Sequence, residues 1–443
     1  MKLVLSKTTV SSRSALLFCS ALLFCSAVLF CSALLFCSAV AVAEKIPERY
    51  WPNWRGPQDL GSTEKGSYVA EFDSSKNVLW KIELPGRGCS TPVVWGDHIL
   101  VTCPQDEVDT LMSLDWAGKV RWQTSVEKMR EGKHRNGSSC NPSPITDGQF
   151  IFTYFKNGTL AGLDFSGALL WKTNLQERWG KDTLYWDLGT SPVLTDDHVI
   201  VAVMHKGESY LAAFEKESGD LAWRVPRNYK TPVEGDHSYA TPHVIQRDGK
   251  QIIVVWGAEH LTAHSAEDGK MLWECGGFNP DEKGNWVVVA SSVLAGDIAL
   301  IPYGRGSRLA GVKLGGQGDV TATNRLWTRE NTGTFVPTPV VADGKLYMVR
   351  DQGEVECVEP RTGETLWSAA FPRNRNKFYA SPVIADGKIF APREDGVILV
   401  ATASGDFKLL SENDMGERVI ASPVPVGNRM LIRGEQHLFC IGK

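Results

Sequence analysis

Apolar and polar residues alternate over short runs through most of the chain, and turn residues separate the runs. Residues 338–367 show the pattern most clearly, as TPVVADGKLYMVRDQGEVECVEPRTGETLW. The runs TPVV, KLYMV, VECVE and TLW are typical of strands, in which successive side chains point to opposite faces of a sheet. The intervening turns contain glycines, which accept the positive φ that tight turns need. This stretch predicts four antiparallel strands in succession.

The four-strand unit recurs along the chain. A small hydroxyl residue, then Pro and an apolar pair open seven copies, and Ser291-Ser292-Val293 is a degenerate eighth. Neighbouring copies are 41 to 52 residues apart. Such a period with four strands is typical of β-propellers, whose radial closure protects the sheet edges. We therefore predict an all-β fold, an eight-bladed β-propeller of four-stranded antiparallel blades. The seven complete copies begin at Thr91, Ser143, Ser191, Thr241, Thr338, Ser381 and Ser422.

A tryptophan marks the predicted fourth strand of most units. The seventh unit ends SGDFKLL, so we expect Leu409 or Leu410 at its tryptophan position. The last unit has room for three strands only, whereas NVLWKIEL at residues 77–84 is typical of a fourth strand that lacks the first three. We predict that this N-terminal outer strand, with Trp80, joins the C-terminal blade and closes the ring, which removes two exposed edges. The other tryptophans are Trp122, Trp171, Trp223, Trp273, Trp327 and Trp367.

The first 43 residues are typical of a secretory signal peptide. They combine Lys2, Lys7 and Arg13 with no acidic residue, an apolar hexamer repeat and the ending SAVAVA, so we expect cleavage after Ala43. The apolar stretch is long enough to span a bilayer, and an uncleaved anchor is the alternative. Phenylalanine precedes every cysteine of the leader, which does not fit a lipidation site. We expect an exported protein that is periplasmic, in the cell envelope or extracellular.

Residues 44–76 are expected to form an irregular arm that contains WPNWRGP, and residues 77–443 the propeller. Prolines beside the tryptophans exclude a regular helix here. We expect Trp51 and Trp54 to cover apolar surface of the propeller. The alternative is that Trp54 and Arg55 contact a ligand.

Composition and the spacing of the cysteines argue against two classes of function, nucleic-acid binding and zinc binding. The formal net charge is −4, which argues against nucleic acid as the main partner. Six cysteines follow the leader, without a CxxC motif, so a zinc ribbon is not supported. Cys89 and Cys103 flank one predicted hairpin, and a disulfide between them stays open at this point. We expect Cys357 and Cys440 to be buried in third strands.

The repeat resembles that of the pyrroloquinoline-quinone (PQQ)-like β-propeller family. The unit SPVIADGKIFAPREDGVILVATASGD, residues 381–406, shows the resemblance well, and the likeness covers about residues 77–443. The family includes eight-bladed quinoprotein dehydrogenases and non-catalytic propellers, among them the propeller subunit of the outer-membrane protein assembly machinery. WPNWRGP resembles the start of secreted family members from bacteria such as planctomycetes. Function does not follow from this fold alone.

The resemblance to quinoprotein dehydrogenases implies specific residues for catalysis. In those enzymes adjacent cysteines form a ring against the quinone, calcium is held by Glu, Asn and Asp, and another Asp acts as base. This chain has no Cys-Cys pair. Asp187 and Asp236 precede first strands, where such a base would lie, but no acidic cluster matches the pattern. We therefore assign no catalytic or metal-binding residue and expect no cofactor; PQQ and calcium belong only to an alternative in which the protein is a quinoprotein oxidoreductase.

The segments that lead into the first strands supply the candidate binding residues. Side chains alternate there, so positions three and five residues before the second residue of each motif share a face. The residues five positions before the second motif residue are mostly polar, and the residues three positions before it are more apolar. The polar set predicts a ring at the channel mouth that holds an anionic group or an acidic side chain, and the alternative is a solvated rim. The candidate binding residues are Arg87, Asp187, His237, Lys377 and Arg418.

Three hypotheses about function follow. The first is an exported, non-catalytic propeller that binds a protein or a small ligand through its rim and channel mouth. The second is a PQQ-dependent oxidoreductase, and the third is a glycan-binding protein or cell-envelope scaffold. The expected partner is thus an envelope protein, a small molecule or a glycan, and a membrane only through an uncleaved N-terminal segment.

Overall fold

Residues 49–443, which the computed structural model describes, form eight sheets in the order that the repeats predict. Consecutive strands within each sheet pair antiparallel, so the predicted eight-bladed β-propeller is confirmed. Among these residues no helix is long and apolar enough to cross a membrane, and only Leu175–Trp179 and Thr321–Asn324 are helical. The leader predicted over residues 1–43, whether cleaved or kept as an anchor, lies outside the described residues.

Each blade contains four main strands, numbered here from the channel outward. They are Val93–Trp95, His98–Gln105, Val108–Leu114 and Val120–Lys128 in blade 1; Ile145–Thr146, Phe150–Tyr154, Thr159–Asp164 and Leu169–Asn174 in blade 2; Val193–Leu194, His198–Val203, Tyr210–Glu215 and Leu221–Pro226 in blade 3; His243–Arg247, Lys250–Gly257, His260–Ser265 and Met271–Cys275 in blade 4; Val293–Ala295, Ile298–Tyr303, Arg308–Lys313 and Arg325–Glu330 in blade 5; Val340–Ala342, Lys345–Val349, Glu354–Val358 and Thr365–Ala370 in blade 6; Val383–Ala385, Lys388–Pro392, Val397–Thr402 and Leu409–Asp414 in blade 7; and Val424–Val426, Arg429–Arg433, His437–Ile441 and Val78–Glu83 in blade 8.

Three two-residue strands lie outside this pattern. Tyr50–Trp51 pairs antiparallel with the first strand of blade 1, and Ser62–Thr63 pairs parallel with the first strand of blade 7. Gly318–Asp319, from the connection between the last two strands of blade 5, pairs parallel with the fourth strand of blade 4.

The ring closes as predicted, through the N-terminal outer strand. Val78–Glu83 pairs antiparallel with His437–Ile441 and places Trp80 opposite Cys440. The indole N–H of Trp80 donates to the backbone oxygen of Trp116 in blade 1 at 2.9 Å. Blade 8 is therefore completed by the start of the propeller and contacts blade 1 in the same way as other neighbouring blades contact each other.

The recurring tryptophan of the fourth strand packs on the next blade. The indole N–H of Trp171, for example, donates to the backbone oxygen of Lys216 at 2.8 Å, and a Cβ added to Gly219 of the same turn would lie 2.4 Å from the indole ring. Only glycine fits under the ring, which explains why the turn glycine and the tryptophan recur together. The Trp–Gly contacts are Trp80–Gly118, Trp122–Gly167, Trp171–Gly219, Trp223–Gly269 and Trp327–Gly363.

Blade 7 departs from this pattern. In blade 2 the irregular pairing of the last two strands places Trp171 opposite Gly162, and the equivalent irregularity in blade 7 places Ser411 opposite Val400. The expectation that Leu409 or Leu410 occupies the tryptophan position is therefore wrong. Both leucines are substantially exposed, at 38% and 39%.

The described part of the arm, residues 49–76, fills the place of the missing tryptophan. The Ser411 hydroxyl donates to the backbone oxygen of Ala70 at 2.5 Å, and the Phe72 amide donates to Asn413 at 2.9 Å. Phe72 and Tyr68 are 3% and 4% exposed and belong to the apolar core between blades 7 and 8. Burying these aromatic rings replaces the contact that the indole supplies elsewhere in the ring.

Candidate functional site

The hydroxyl residues of the repeated motif form a belt around the channel, named here the hydroxyl belt. The amide of Thr91 donates to the Ser143 hydroxyl at 2.9 Å, and the amide of Ser143 donates to the Ser191 hydroxyl at 3.0 Å. Four further links continue in the same way from blade to blade, each at 2.9 or 3.0 Å. Six of the eight hydroxyls thus satisfy a buried amide of the preceding blade, which explains why the motif recurs. The belt comprises Thr91, Ser143, Ser191, Thr241, Ser291, Thr338, Ser381 and Ser422.

The arm crosses one end of the channel and is fixed there by polar contacts. Arg55 is 2% exposed and donates to the backbone oxygens of Pro339 at 2.8 Å and Pro382 at 3.1 Å. Burial lowers the pKa of Arg55 to about 10. Asp59 forms an ion pair with His243 at the start of blade 4. Burial alone would lower the pKa of His243, but the Asp59 carboxylate raises it above its ordinary value.

A cavity of about 480 Å³, named here the channel cavity, lies above the arm. Trp54 borders it, and so do six of the belt residues. Trp54 and Ser191 also border a second cavity of about 570 Å³ on the arm side, so these two residues lie between the two cavities. Trp51, the other tryptophan of the arm, is 1% exposed within the core next to blade 1.

The positions three before the second motif residue all line the channel cavity. Each blade contributes one residue to this set, so the side chain at this position faces the channel in every blade. The residues are Cys89, Asn141, Gly189, Tyr239, Val289, Val336, Tyr379 and Ile420.

The five predicted binding residues do not form one ring. Asp187 and Lys377 line the channel cavity. Arg87 and Arg418 both face Glu435, at 3.2 Å and 3.5 Å. His237 is 7% exposed and lies 3.8 Å from the carboxylate of its neighbour Asp236, and burial lowers its pKa. Two of the three predicted cations are thus already paired with an acid.

Asp187 holds a loop rather than offering a free carboxylate. Its oxygens accept the amides of Lys133 and His134 at 2.8 to 3.0 Å, and it forms a buried ion pair with Lys156. Burial alone would raise the pKa of Asp187, but the His134 amide and the Lys156 ammonium hold it below its ordinary value. The contacts fix residues 129–139 against the segment that leads into blade 3.

Residues 129–139 continue across the mouth to blades 7 and 8. Arg135 pairs with Glu394 at 2.9 Å, and the Arg418 guanidinium donates to the backbone oxygen of Arg135 at 3.3 Å. Arg418 also lies 3.4 Å from Glu394. Together with the pairs to Glu435, these contacts form an ion-pair network that joins the mouth loops of blades 1, 7 and 8.

Sequence patterns missed several residues of the channel cavity. Trp186, Arg305, Phe335 and Asp351 line it, and the first three come from loops that do not follow the repeat. The Arg305 guanidinium lies 4.3 Å from the Phe335 ring centroid. Asp351 accepts the amide of Phe335 at 2.9 Å, and burial raises its pKa. A signal existed for Asp351, because an acid follows the second strand in blades 6, 7 and 8.

The donor set of the channel does not fit a calcium-bound quinone. Asp187 is already paired with Lys156, and both oxygens of Asp351 accept backbone amides, so the two carboxylates serve contacts within the chain. Cys89 is a single thiol at the cavity wall, without a neighbouring cysteine in the sequence. In the part of the chain that the structure describes, no group of three or more His, Cys, Asp or Glu residues is arranged to hold a metal ion.

The six cysteines beyond the leader are free thiols in the structure. Cys103 contacts Met112, with its sulfur 3.1 Å from the thioether sulfur, and Cys89 faces the backbone oxygen of Asn136 at 3.3 Å. Neither sulfur faces the other, so the disulfide left open between them is not formed. Cys357 and Cys440 are buried in third strands, as expected.

The repeat, the eight blades and the strand that closes them define a PQQ-like β-propeller. A family model described as outer membrane protein assembly factor BamB matches residues 60–177, 156–322 and 317–435. The chain belongs to this family. It is 22% identical over 335 residues to the outer membrane protein assembly factor BamB of Yersinia pestis, covering 73% of each chain.

Solved structures show the same fold. BamB from Moraxella catarrhalis superposes with a TM-score of 0.59 at 15% identity, over 83% of this chain and 99% of that one. A europium-containing methanol dehydrogenase superposes with a TM-score of 0.68 at 11% identity, over 89% and 98%. Because a protein named as an assembly factor and a dehydrogenase share this fold, the fold does not decide between binding and catalysis.

Proposed function

We propose that the protein is an exported, non-catalytic scaffold of the cell envelope that binds a protein partner in outer membrane protein assembly. Family membership supports a role in outer membrane protein assembly, because the matching family model and the Yersinia pestis relative are both named as an outer membrane protein assembly factor. The mouth of the channel is the proposed binding surface.

The mouth loop of blade 7, residues 371–377, is the observation that carries the proposal. Arg373 and Arg375 are exposed, and neither they nor Lys377 form an ion pair with any described residue, unlike Arg418 and Arg135 nearby. Exposed arginines are frequent anchors in protein interfaces because one guanidinium donates several hydrogen bonds and also packs against apolar groups.

Exposed apolar side chains occur elsewhere on the same mouth. Tyr185, in the segment leading into blade 3, is 60% exposed, and Val233, in the segment leading into blade 4, is 73% exposed. Tyr185 packs edge-on against Trp186, with ring centroids 4.8 Å apart. A partner that presents acidic residues to blade 7 and apolar residues to blades 3 and 4 would complement this face.

Site-specific photocrosslinking in the organism that produces the protein tests the proposal. A photoreactive residue at Arg375 should give crosslinks to outer membrane assembly proteins. A matched probe at Arg361, whose side chain is 64% exposed on the opposite face, should not. Equal crosslinking from both positions, or crosslinks only to soluble metabolic enzymes, would contradict the proposal.

A further inference from the structure

The hydroxyl belt is interrupted between blades 7, 8 and 1. Six amide-to-hydroxyl links run from Thr91 in blade 1 to Ser381 in blade 7, and the two links that would pass through Ser422 are missing. Among the described residues, the amides of Ser381 and Ser422 have no acceptor, and the hydroxyls of Ser422 and Thr91 have no partner at all. The interruption, named here the belt gap, leaves four polar groups unpaired on one side of the channel.

The residues of the belt gap are almost fully buried at the wall of the channel cavity, and their unpaired hydroxyl oxygens keep some accessible surface there. Thr91 is 2% exposed and Ser422 is 3% exposed, and both border the cavity together with Ser381. A polar group without a protein partner at the wall of a cavity takes water or a ligand as its hydrogen-bond partner. Two N–H and two O–H groups supply donors, so the complementary group is an acceptor.

Two cations flank the belt gap. Lys377 lines the cavity beside Ser381, without an ion pair to a described residue. Arg433 of blade 8 is 1% exposed and donates to the backbone oxygen of Ser90 at 3.0 Å, directly before Thr91. Its Nε and Nη2 atoms are buried without a hydrogen-bond partner. Arg433 lies behind the cavity wall, and the carboxylates of Asp187 and Asp351 also line the cavity. Asp187 is neutralised by its ion pair with Lys156, so the positive charge of Lys377 and Arg433 at the gap favours an anionic acceptor over a neutral one.

Apolar and aromatic side chains lie on the opposite wall of the cavity, next to the charged side chains of Asp187 and Arg305. Trp186, Tyr239, Val289 and Phe335 line it, and the Trp186 amide donates to the Tyr239 hydroxyl at 2.9 Å, which fixes the two residues together. A volume of about 480 Å³ lies within the range of small-molecule sites, roughly 300–1,000 Å³. The cavity therefore combines an anion-binding side with a surface for a flat apolar group.

We propose that the belt gap binds the carboxylate of a small organic anion whose apolar body packs against Trp186, Tyr239 and Phe335. The carboxylate accepts hydrogen bonds from the amides and hydroxyls of the gap, and Lys377 closes the site from the mouth. This site is distinct from the surface proposed for the protein partner, because the cavity lies inside the ring whereas Arg373 and Arg375 are exposed on the mouth. Lys377 is the one residue that both proposals use.

Isothermal titration calorimetry of the purified protein tests the site, with 2-naphthoate as the probe and 2-naphthalenemethanol as its neutral analogue. Naphthoate should bind at least about tenfold more tightly than the alcohol, because only the carboxylate uses the gap and its cations. Lys377→Met should weaken naphthoate binding by about tenfold and leave binding of the alcohol unchanged. The double variant Thr91→Val with Ser422→Ala should weaken naphthoate binding to a similar extent.

Thr241→Val is the matched control, because Thr241 belongs to the hydroxyl belt but does not border the channel cavity. It should lower the melting temperature by breaking one link and keep naphthoate affinity within about twofold. If the double variant fails to fold, Lys377→Met still tests the proposal, because Lys377 is partly exposed and its substitution should leave the fold intact. Equal affinities for the two probes, no binding of naphthoate, or unchanged naphthoate affinity in Lys377→Met would overturn the proposal.

Discussion

Neighbouring blades contact each other through one repeated arrangement, whereas the channel mouth presents different side chains on every blade. On the outer side, an indole lies on a turn glycine five times around the ring, as in Trp171 on Gly219. At the mouth, equivalent positions carry the buried carboxylate of Asp187 in blade 3 and the cation of Lys377 in blade 7. The repeated positions hold the blades together, and the positions that differ set what the mouth can bind.

The largest expected effect is at a repeated contact. Gly219→Val places a β-branched residue at φ +72° with its Cβ 2.4 Å from the Trp171 ring, and should lower the free energy of unfolding by about 4 kcal/mol. Gly249→Val is the control, since Gly249 has φ +73° but no heavy atom within 4 Å of an added Cβ. Gly249→Val should lower the free energy of unfolding only by the backbone strain, about 2 kcal/mol. Urea unfolding measures both, and equal losses would show that the Trp–Gly contact adds nothing.

The arm should show the next largest effect, because Arg55 fixes it to the propeller through buried polar contacts. Arg55→Met removes the guanidinium that pairs with the backbone oxygens of Pro339 and Pro382, and should destabilise the protein by about 2–3 kcal/mol. Trypsin should then cut earlier within residues 49–76. Unchanged urea unfolding in this variant would mean that the arm does not contribute to the closed ring.

The ion pair between Asp59 and His243 should make the stability of the arm depend on pH. The pKa of folded His243 is raised above its ordinary value, so its stabilising contribution is complete below about pH 6.5 and is lost as the pH rises through the raised pKa. Asp59→Asn removes the partner carboxylate. Unfolding free energies measured from pH 5 to 9 should fall with rising pH more in the parent than in this variant. Parallel curves would rule out the ion pair as the cause.

A substitution in the mouth network should have a small effect on stability. Arg418 is about one third exposed and shares Glu394 and Glu435 with other cations, so Arg418→Ala should cost less than about 1 kcal/mol. The loss should shrink further at high salt, because exposed ion pairs are screened. A loss as large as that of Gly219→Val would mean that the mouth, too, holds the ring together.

The fold could be predicted from the sequence because the Ser/Thr-Pro motif and the tryptophan each recur where neighbouring blades contact each other. The same regularity placed all the residues three before the motif around the cavity. The sequence pattern does not show which mouth cations are free, because pairs such as Arg87 with Glu435 join distant parts of the chain. Trp186 and Phe335 come from loops without a period, and the arm takes the place of a tryptophan at Ser411. A repeat predicts only residues that recur in every blade, and the contacts of Trp186, Phe335 and the arm each occur once.

One measurement tests most directly whether the repeated and unrepeated positions have separate roles. Arg373→Glu with Arg375→Glu reverses two exposed charges of the mouth, and photocrosslinking from Tyr185 and urea unfolding are measured on the same variant. Because both arginines are exposed, unfolding should change by no more than about 0.5 kcal/mol. Crosslinks to outer membrane assembly proteins should be lost. Retained crosslinking with unchanged stability would contradict the account, since the unpaired cations of the mouth would then serve neither the fold nor a partner.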